Sequence, residues 1–390
     1  MKDYLKQQFQ VTYQEEPNTI LSCGGRFEVL GNHTDHNRGL CLAATCNLSI
    51  FGAFSKRNDN LVRFMSEGFG YSEIDLSDLN QLDDEKGQSK ALIRGIAKYL
   101  FDNGFLVKGF NAYLKSEIPS GAGASSSAAF ELLIAQAFNV LFNESIIPLM
   151  TLCKAGQYAE REYYGKACGL LDQIGVSYGG LSYIDFKDIA NPVVKQLDVD
   201  FKDYQFVIIN TGGDHSALSD LYKAIPDQMF EVASVFQKSY LRDVSYEELK
   251  QNKRDVIEKC GKEAYQKASH FFEENTRVEK AYKALEKNKI DRLISLMNKS
   301  RESSTDLLHN MFVDKIKGSP LEACNLVLKA SHQKAGVKIN GGGFAGSIIA
   351  LVPKDELKNV VKAAKEKYGK DNVYLVSVRK DIFRNIKNSL

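Results

Sequence analysis

One unbroken run of small residues, Gly121-Ala122-Gly123-Ala124-Ser125-Ser126-Ser127, constrains the fold of this chain more than any other feature. An alternating, strand-like segment at 110–118 precedes it, and apolar residues at helical spacing follow from Ala129 to Leu141. Glycine lets the backbone take positive φ and approach a ligand closely, and the first turn of a helix carries N–H groups without partners. The run therefore predicts a strand, a tight turn and a helix N-terminus.

Such a turn is a candidate phosphate site, because unpaired N–H groups and the helix dipole attract anions. The three serines add hydroxyl groups. The alternative is a plain loop capped by serine, which is a favoured N-cap residue. No Gly-Lys-Ser/Thr closes the run as in the common P-loop, and the third glycine of the dinucleotide fingerprint is missing. We therefore predict a phosphate loop without a P-loop lysine.

Length and charge limit the remaining possibilities. A chain of 390 residues is too long for one typical core, so we expect two domains, 1–180 and 181–390. The formal net charge of +2, with lysines and acids mixed, argues against binding of nucleic acid or anionic membranes. We see no signal segment, no membrane-spanning run, no Cys-x-x-Cys pair and no zinc-ligand spacing of histidines. These features predict a cytoplasmic protein whose seven cysteines are reduced.

Three further segments are rich in polar or glycine residues between apolar ones. The turn 31–39, which contains His-Thr-Asp-His, lies between two strand-like segments and is either a binding loop or a simple hairpin turn. Asp172 lies in an apolar, glycine-flanked segment and is either a catalytic carboxylate or a cap. A second glycine run, 340–346, leads into an apolar strand.

Taken together, these segments resemble the GHMP kinase superfamily and, within it, the galactokinases. The segment 25–37 resembles the galactokinase signature Gly-Arg-x-Asn-Leu-Ile-Gly-Glu-His-Thr-Asp-Tyr-Asn, and 119–129 resembles the phosphate loop of the superfamily. The run 340–346 resembles its third glycine motif, 169–173 the catalytic aspartate segment, and 215–222 a sugar-binding segment that ends in tyrosine. The matches follow the family order over nearly the whole chain.

The resemblance implies an α+β fold with a ribosomal-protein-S5-like N-terminal domain and a GHMP C-terminal domain. It implies transfer of the γ-phosphoryl group of ATP to the C1 hydroxyl of galactose, with Mg²⁺. By matched position, Asp172 and Arg26 are catalytic, and Ser127 and Glu160 hold the metal. The ATP phosphates fall on Gly121, Ala122, Gly123, Ala124, Ser125, Ser126 and Ser127, and the sugar on Asn32, His33, Thr34, Asp35 and Tyr222.

The sequence departs from the family pattern at four positions. Asn32 replaces the usual Glu, His36 replaces Tyr, Glu28 replaces Asn, and Ala124 replaces Leu. In that pattern the glutamate accepts a hydrogen bond from the C6 hydroxyl. A neutral Asn32 still pairs with a hydroxyl, but it removes a charge that would repel a C6 carboxylate. Galactose is therefore the first expectation, and a C6-modified sugar such as galacturonate is the alternative.

Two other classes compete with a galactokinase. One is a non-catalytic sensor of galactose and ATP, but the intact serine run, Asp172 and Arg26 favour an enzyme. The other is a kinase of the superfamily acting on another alcohol, which the His33-Thr34-Asp35 turn disfavours. The sequence gives no oligomeric state.

Overall fold

The computed structural model of the protein describes residues 1–119, 121–166, 168–212, 219–312, 318–381 and 384–385. The helices in these ranges are α1 Lys2–Tyr13, α2 Ser89–Asp102, α3 Ser126–Phe142, α4 Leu149–Tyr158, α5 Leu171–Ser177, α6 Ser219–Val235, α7 Tyr246–Gln251, α8 Lys253–Cys260, α9 Lys262–Leu285, α10 Ile290–Ser303, α11 Pro320–Ala330 and α12 Leu357–Tyr368. The strands are β1 Thr19–Leu30, β2 Leu40–Lys56, β3 Leu61–Ser66, β4 Gly70–Asp75, β5 Phe110–Ser116, β6 Leu181–Asp185, β7 Val193–Leu197, β8 Tyr204–Asn210, β9 Gly336–Asn340, β10 Ser347–Pro353, β11 Val373–Val376 and β12 Arg384–Asn385.

The larger sheet has the order β12-β1-β2-β5-β3-β4, with β6 paired to β2 and β7 paired to β6. β1 and β2 run antiparallel, so that Thr19 lies opposite Phe54, and the turn 31–39 joins their other ends. β6 and β7 follow the predicted domain boundary at residue 180, yet they extend this sheet. The sheet thus takes in strands from both sides of residue 180, and the two domains stay a prediction.

The smaller sheet is antiparallel, with the order β11-β8-β10-β9. Side chains on β8 alternate between two cores, as the two-residue period of a strand requires. Phe206 and Ile208 face the main core with α10, whereas Val207 and Ile209 face the core beneath α11 and α12. The unbroken apolar sequence of β8 therefore reflects a strand that is covered on both faces.

Helix α3 packs against β1 and β2 on one side and against α2, α4 and α5 on others. Four consecutive residues, Leu132 to Ala135, are buried, as expected of a helix surrounded by other elements. This packing fixes the N-terminus of α3 beside β1 and α5, which carry Arg26 and Asp172.

The predicted elements exist, with shifted ends. Apolar spacing in the sequence predicts helices over 91–104 and 148–165. The first spans 89–102, and the second is α4, extended by a π-helical turn, Ala159–Tyr164. The apolar segments 40–44 and 48–54 predict two strands, but they form one long strand, β2. The α+β class is confirmed. Within the described ranges, no helix is both long and apolar enough to cross a membrane.

Candidate active site

The predicted catalytic residues and most of the predicted phosphate loop line one cleft of about 350 Å³, whereas Glu160 and the predicted sugar residues are not in its wall. Its wall includes Arg26 from β1, most of the loop 121–127, Asp172 from α5 and the glycine loop 341–343. A larger cleft of about 710 Å³ lies elsewhere, between the segments 196–206 and 376–380, and contains none of the predicted site residues. We therefore take the smaller cleft as the candidate site.

Asp172 lies at the centre of this site. Its Oδ1 accepts a hydrogen bond from Arg26 Nε at 2.9 Å, and its Oδ2 accepts one from the Ser125 hydroxyl at 2.6 Å. One third of the Asp172 side chain remains exposed, so a ligand in the cleft could reach it. Its enclosed position alone would raise the carboxyl pKa, but Arg26, Ser125 and Lys166 outweigh this and hold the pKa below its usual value. Asp172 is therefore ionised at neutral pH.

Arg26 also fixes the phosphate loop. Its backbone N–H donates to the Ala124 carbonyl at 3.0 Å, and its Nη1 donates to the Gly123 carbonyl. The Asn340 Nδ2 group donates to the same Gly123 carbonyl at 3.0 Å. The carbonyls of Gly123 and Ala124 thus point toward β1 and β9.

Ser125 is the N-cap residue of α3, but its side chain does not cap the helix. Its backbone φ of 52° is in the left-handed region, and its hydroxyl donates a hydrogen bond to Asp172 instead. Serine in the loop therefore does not act as a simple cap, and the first N–H groups of α3 have no side-chain acceptor among the described residues. Those groups suit an anion.

The two predicted metal ligands lie together. Ser127 Oγ is 3.2 Å from Glu160 Oε1, and Lys166 Nζ is 2.7 Å from the same oxygen. Glu160 lies in the π-helical turn Ala159–Tyr164, a distortion often found at functional sites. The other Glu160 oxygen accepts a hydrogen bond from Gln173 Nε2 at 3.1 Å.

A second acid lies behind Glu160. Gln173 Nε2 also donates to Glu131 Oε2 at 2.9 Å, and Glu131 is fully buried. Burial, followed by the nearby charge of Glu160, raises the pKa of Glu131 well above its usual value. Neither Glu131 nor Gln173 was predicted as a site residue from the sequence, although Gln173 is adjacent to Asp172.

Three of the five predicted sugar residues contact the third glycine motif. Asn32, His33 and Tyr222 donate to the carbonyls of the third glycine motif at 341, 342 and 343, over 2.7 Å, 2.7 Å and 2.8 Å. The Thr34 hydroxyl is completely buried and lies within 2.9 Å of the Gly31 and Leu40 carbonyls, so it stabilises the turn itself. Thr34 is therefore not among the proposed sugar-binding residues.

Asp35 lies against the segment that leads to Asp172. A Cβ at Gly169 would lie 2.0 Å from Asp35 Oδ2, so only glycine permits this approach. His36 Nε2 is 3.5 Å from Asp35 Oδ1. The part of the predicted sugar segment from His215 to Leu218 lies outside the described residues.

The family pattern has Asn at position 28 and Glu at position 32, whereas this chain has Glu28 and Asn32. A carboxylate is therefore still present in this region. Asn32 Nδ2 lies 3.2 Å from Glu28 Oε1, and Lys338 Nζ lies 2.8 Å from the same oxygen. All three side chains are at least 96% buried. Asn32 itself carries no charge, but Glu28 places a carboxyl group beside it. Lys338, a lysine inside an apolar strand, was the sequence signal for this buried pair.

Comparison with known proteins indicates the family. Residues 91–180 match the GHMP kinases N terminal domain model, and residues 7–56 match the galactokinase galactose-binding signature. A galactokinase of Lactococcus lactis subsp. cremoris is 31% identical over 355 residues, covering 88% of this chain and 85% of that protein. One from Glaesserella parasuis is 29% identical, covering 89% and 88%.

Solved structures give the same result. The crystal structure of Lactococcus lactis galactokinase complexed with galactose has a TM-score of 0.85 and 26% identity, covering 98% of this chain and 99% of that one. A mevalonate kinase of Methanococcus jannaschii, at 16% identity and a TM-score of 0.65 over 92% and 98%, shares the fold. The loop 121–127, Asp172 with Arg26, and these matches over most of the chain lead to one conclusion: this protein belongs to the galactokinase family.

Proposed function

We propose that this enzyme transfers the γ-phosphoryl group of ATP to the C1 hydroxyl of galactose and forms galactose 1-phosphate. The observation that carries the proposal is Asp172, which is ionised, partly exposed and held by Arg26 and Ser125 beside the phosphate loop. The relatives named galactokinase support the choice of sugar.

Asp172 is the proposed base. It accepts the proton of the sugar hydroxyl as that oxygen attacks the phosphoryl group, and the proton then lies on a carboxyl oxygen. Arg26 keeps Asp172 ionised and orients it through Nε. Near neutral pH the carboxylate is thus ready before the sugar binds.

The loop 121–127 is the proposed phosphate site, with the N–H groups at the start of α3 facing the anion. Ser127 and Glu160 fit Mg²⁺, because they offer hard oxygen donors 3.2 Å apart and leave other positions to phosphate and water. A bound Mg²⁺ would neutralise charge on the phosphates. Lys166 Nζ donates a hydrogen bond to one Glu160 oxygen. If Mg²⁺ bound to that oxygen, Lys166 would share it with the metal or move away.

Asp35, His33, Asn32 and Tyr222 are the proposed sugar residues. Burial lowers the pKa of His33 to about 3, so its ring is neutral and acts only through hydrogen bonds. Asp35 contributes a carboxylate that accepts hydrogen bonds from hydroxyls. Directional acceptors of this kind suit a polyhydroxy substrate.

We further propose two domains divided near residue 180 and a cytoplasmic location. The seven cysteines are all free, which suits a reducing compartment.

The test is a coupled ADP-release assay with galactose, 6-deoxygalactose, galacturonate, glucose and N-acetylgalactosamine, with and without Mg²⁺. We expect Mg²⁺-dependent turnover that is fastest with galactose. ADP release with none of the sugars would reject the kinase function and favour a sensor. A higher kcat/KM for galacturonate than for galactose would instead identify the C6-modified substrate.

A further inference from the structure

Asn310 is a buried residue that no sequence motif indicated. It lies two residues beyond a π-helical turn, Ser304–Leu308, and its side chain is completely buried. Its Nδ2 donates to Asn32 Oδ1 at 2.9 Å and to the Gly342 carbonyl at 3.0 Å. Asn310 thus contacts both the predicted sugar turn and the third glycine loop.

The contacts fix the orientation of both amides. Asn32 Nδ2 lies between the Gly341 carbonyl, at 2.7 Å, and the Glu28 carboxylate, and both of these only accept hydrogen bonds. The other Asn32 amide atom must therefore be oxygen, and the Asn310 atom facing it must be nitrogen. The remaining amide atom of Asn310 is therefore Oδ1.

Two buried acceptors in this region have no donor. Asn310 Oδ1 and His33 Nδ1 accept no hydrogen bond from any residue that the structure describes. His33 Nε2 lies 2.7 Å from the Gly342 carbonyl oxygen, so Nε2 carries the ring proton and Nδ1 has only a lone pair. Buried acceptors without donors are costly, so a ligand that donates hydrogen bonds would be favoured here.

The Gly342 carbonyl lies between these two side chains. Its oxygen accepts from both His33 Nε2 and Asn310 Nδ2, and Gly342 itself lines the cleft. A carbonyl oxygen has no proton to give to the two free acceptors. A hydroxyl oxygen in its place would accept the same two hydrogen bonds and would also donate its own proton.

We propose that Asn310 is a specificity-determining residue for the sugar, and that its Oδ1 receives a substrate hydroxyl that takes the place of the Gly342 carbonyl oxygen. This inference rests on the proposed galactokinase function and deepens it. A hydroxyl, which both accepts and donates hydrogen bonds, is accepted at this position. Substituents that only accept, a carboxylate or fluorine, are rejected because they give no proton to Asn310 Oδ1.

The experiment compares Asn310→Val with the wild type. KM and kcat are measured for galactose and for its 2-, 3-, 4- and 6-deoxy analogues by ADP release. We expect Asn310→Val to raise the sugar KM by roughly three- to tenfold, the usual effect of one hydrogen bond, with the KM for ATP unchanged. The rise should vanish for the single analogue that lacks the partner hydroxyl.

Asn298→Val is the matched control, because Asn298 bonds only the backbone of Ala335 and Val337 in the described structure. We expect it to lower the melting temperature without a change in the sugar KM. An equal rise in KM for galactose and for every deoxy analogue would show that Asn310 is only structural and would overturn the proposal. If Asn310→Val does not fold, Asn310→Ala, which also lacks a hydrogen-bond acceptor, gives the same comparison.

The two proposals fail differently. Absence of ADP release by the wild type counts against the kinase function. Titration calorimetry of the same sugars, with a non-hydrolysable ATP analogue present, then tests Asn310 separately. If the wild type binds none of these sugars, or if Asn310→Val binds all of them as the wild type does, the assignment of Asn310 is wrong.

Discussion

The two glycine loops of the cleft have similar composition and opposite orientation. In the phosphate loop, 121–127, the carbonyls of Gly123 and Ala124 turn toward Arg26, and the hydroxyl of Ser125 goes to Asp172. In the third motif, the carbonyls at 341, 342 and 343 are held by side chains of the predicted sugar site. The first loop thus leaves N–H groups for an anion, and the second places acceptors beside the sugar residues.

The difference shows that glycine content supplies conformational freedom but not the direction in which the peptide groups point. Gly123, Gly341 and Gly343 all have positive φ, between 65° and 96°. The neighbouring side chains decide whether the N–H or the C=O side of the loop faces the ligand. Substitutions in the loop 121–127 should therefore affect the binding of ATP, and substitutions in the loop 341–343 should affect the binding of galactose.

The largest effect is expected from Asp172→Asn, on the side of the phosphate loop. The amide keeps the shape of the side chain but removes the basic oxygen, so kcat should fall about a hundred- to ten-thousandfold. ATP affinity measured by titration calorimetry should stay near the wild-type value. A variant with normal turnover would mean that another carboxylate is the base.

Arg26→Gln should lower kcat and change its pH profile. The wild-type Asp172 pKa lies below its usual value, so the carboxylate is ionised above that pH and activity is lost only as the pH falls through it. Without the guanidinium, the enclosed position raises the pKa, and the acid limb should move to higher pH. Arg26→Lys, which keeps the charge, should shift it less. A Gln variant whose profile has the wild-type shape from about pH 4 to 8 would contradict this.

Ser127→Ala tests the metal at the phosphate loop. The change removes one of two proposed oxygen ligands, so the Mg²⁺ concentration for half-maximal rate should rise roughly tenfold or more, while the KM for galactose stays constant. Binding of Mn²⁺ followed by electron paramagnetic resonance, with ADP present, gives a readout that is independent of turnover. Unchanged Mn²⁺ affinity would remove Ser127 from the metal site.

A pair of glycine substitutions compares the loops directly. A Cβ at Gly123 would lie 2.1 Å from Ser347 Oγ, and one at Gly342 would lie 2.4 Å from Tyr222 Cε1. We expect Gly123→Ala to raise mainly the KM for ATP and Gly342→Ala mainly the KM for galactose, each by several-fold. Steady-state kinetics with both substrates varied would decide. If both variants raise the same KM, the two loops do not serve separate substrates.

The smallest effects are expected from two serine substitutions, which distinguish a helix-capping serine from a serine that contacts the active site. Ser245 caps α7 in a reciprocal capping box with Glu248, so Ser245→Ala should cost about 1 kcal/mol of unfolding free energy and leave kcat unchanged. Ser125→Ala removes a hydrogen bond to Asp172 and no cap, so kcat should fall several-fold with little loss of stability. Denaturant unfolding and initial rates test both. The reverse pattern would make Ser125 a cap.

The sequence predicted the local elements of this site well. The small residues at 121–127 and the apolar spacing after them specify a turn and a helix start, because φ preference and helical periodicity are local properties. The apolar run of β10 likewise predicted a strand. The roles of Asp172 and Arg26 came from the family resemblance, since residues 146 positions apart share no local signal.

Only the tertiary structure determined which polar side chains pair. Glu28 and Asn32 looked like two separate departures from the family signature, but folding joins them into one buried group with Lys338 and Asn310. Ser125 looked like a helix cap, and folding gives its hydroxyl to Asp172. A buried charge or amide indicates in the sequence that a partner must exist, because an unpaired one is costly. The identity of that partner depends on how strands and helices far apart in the chain pack together.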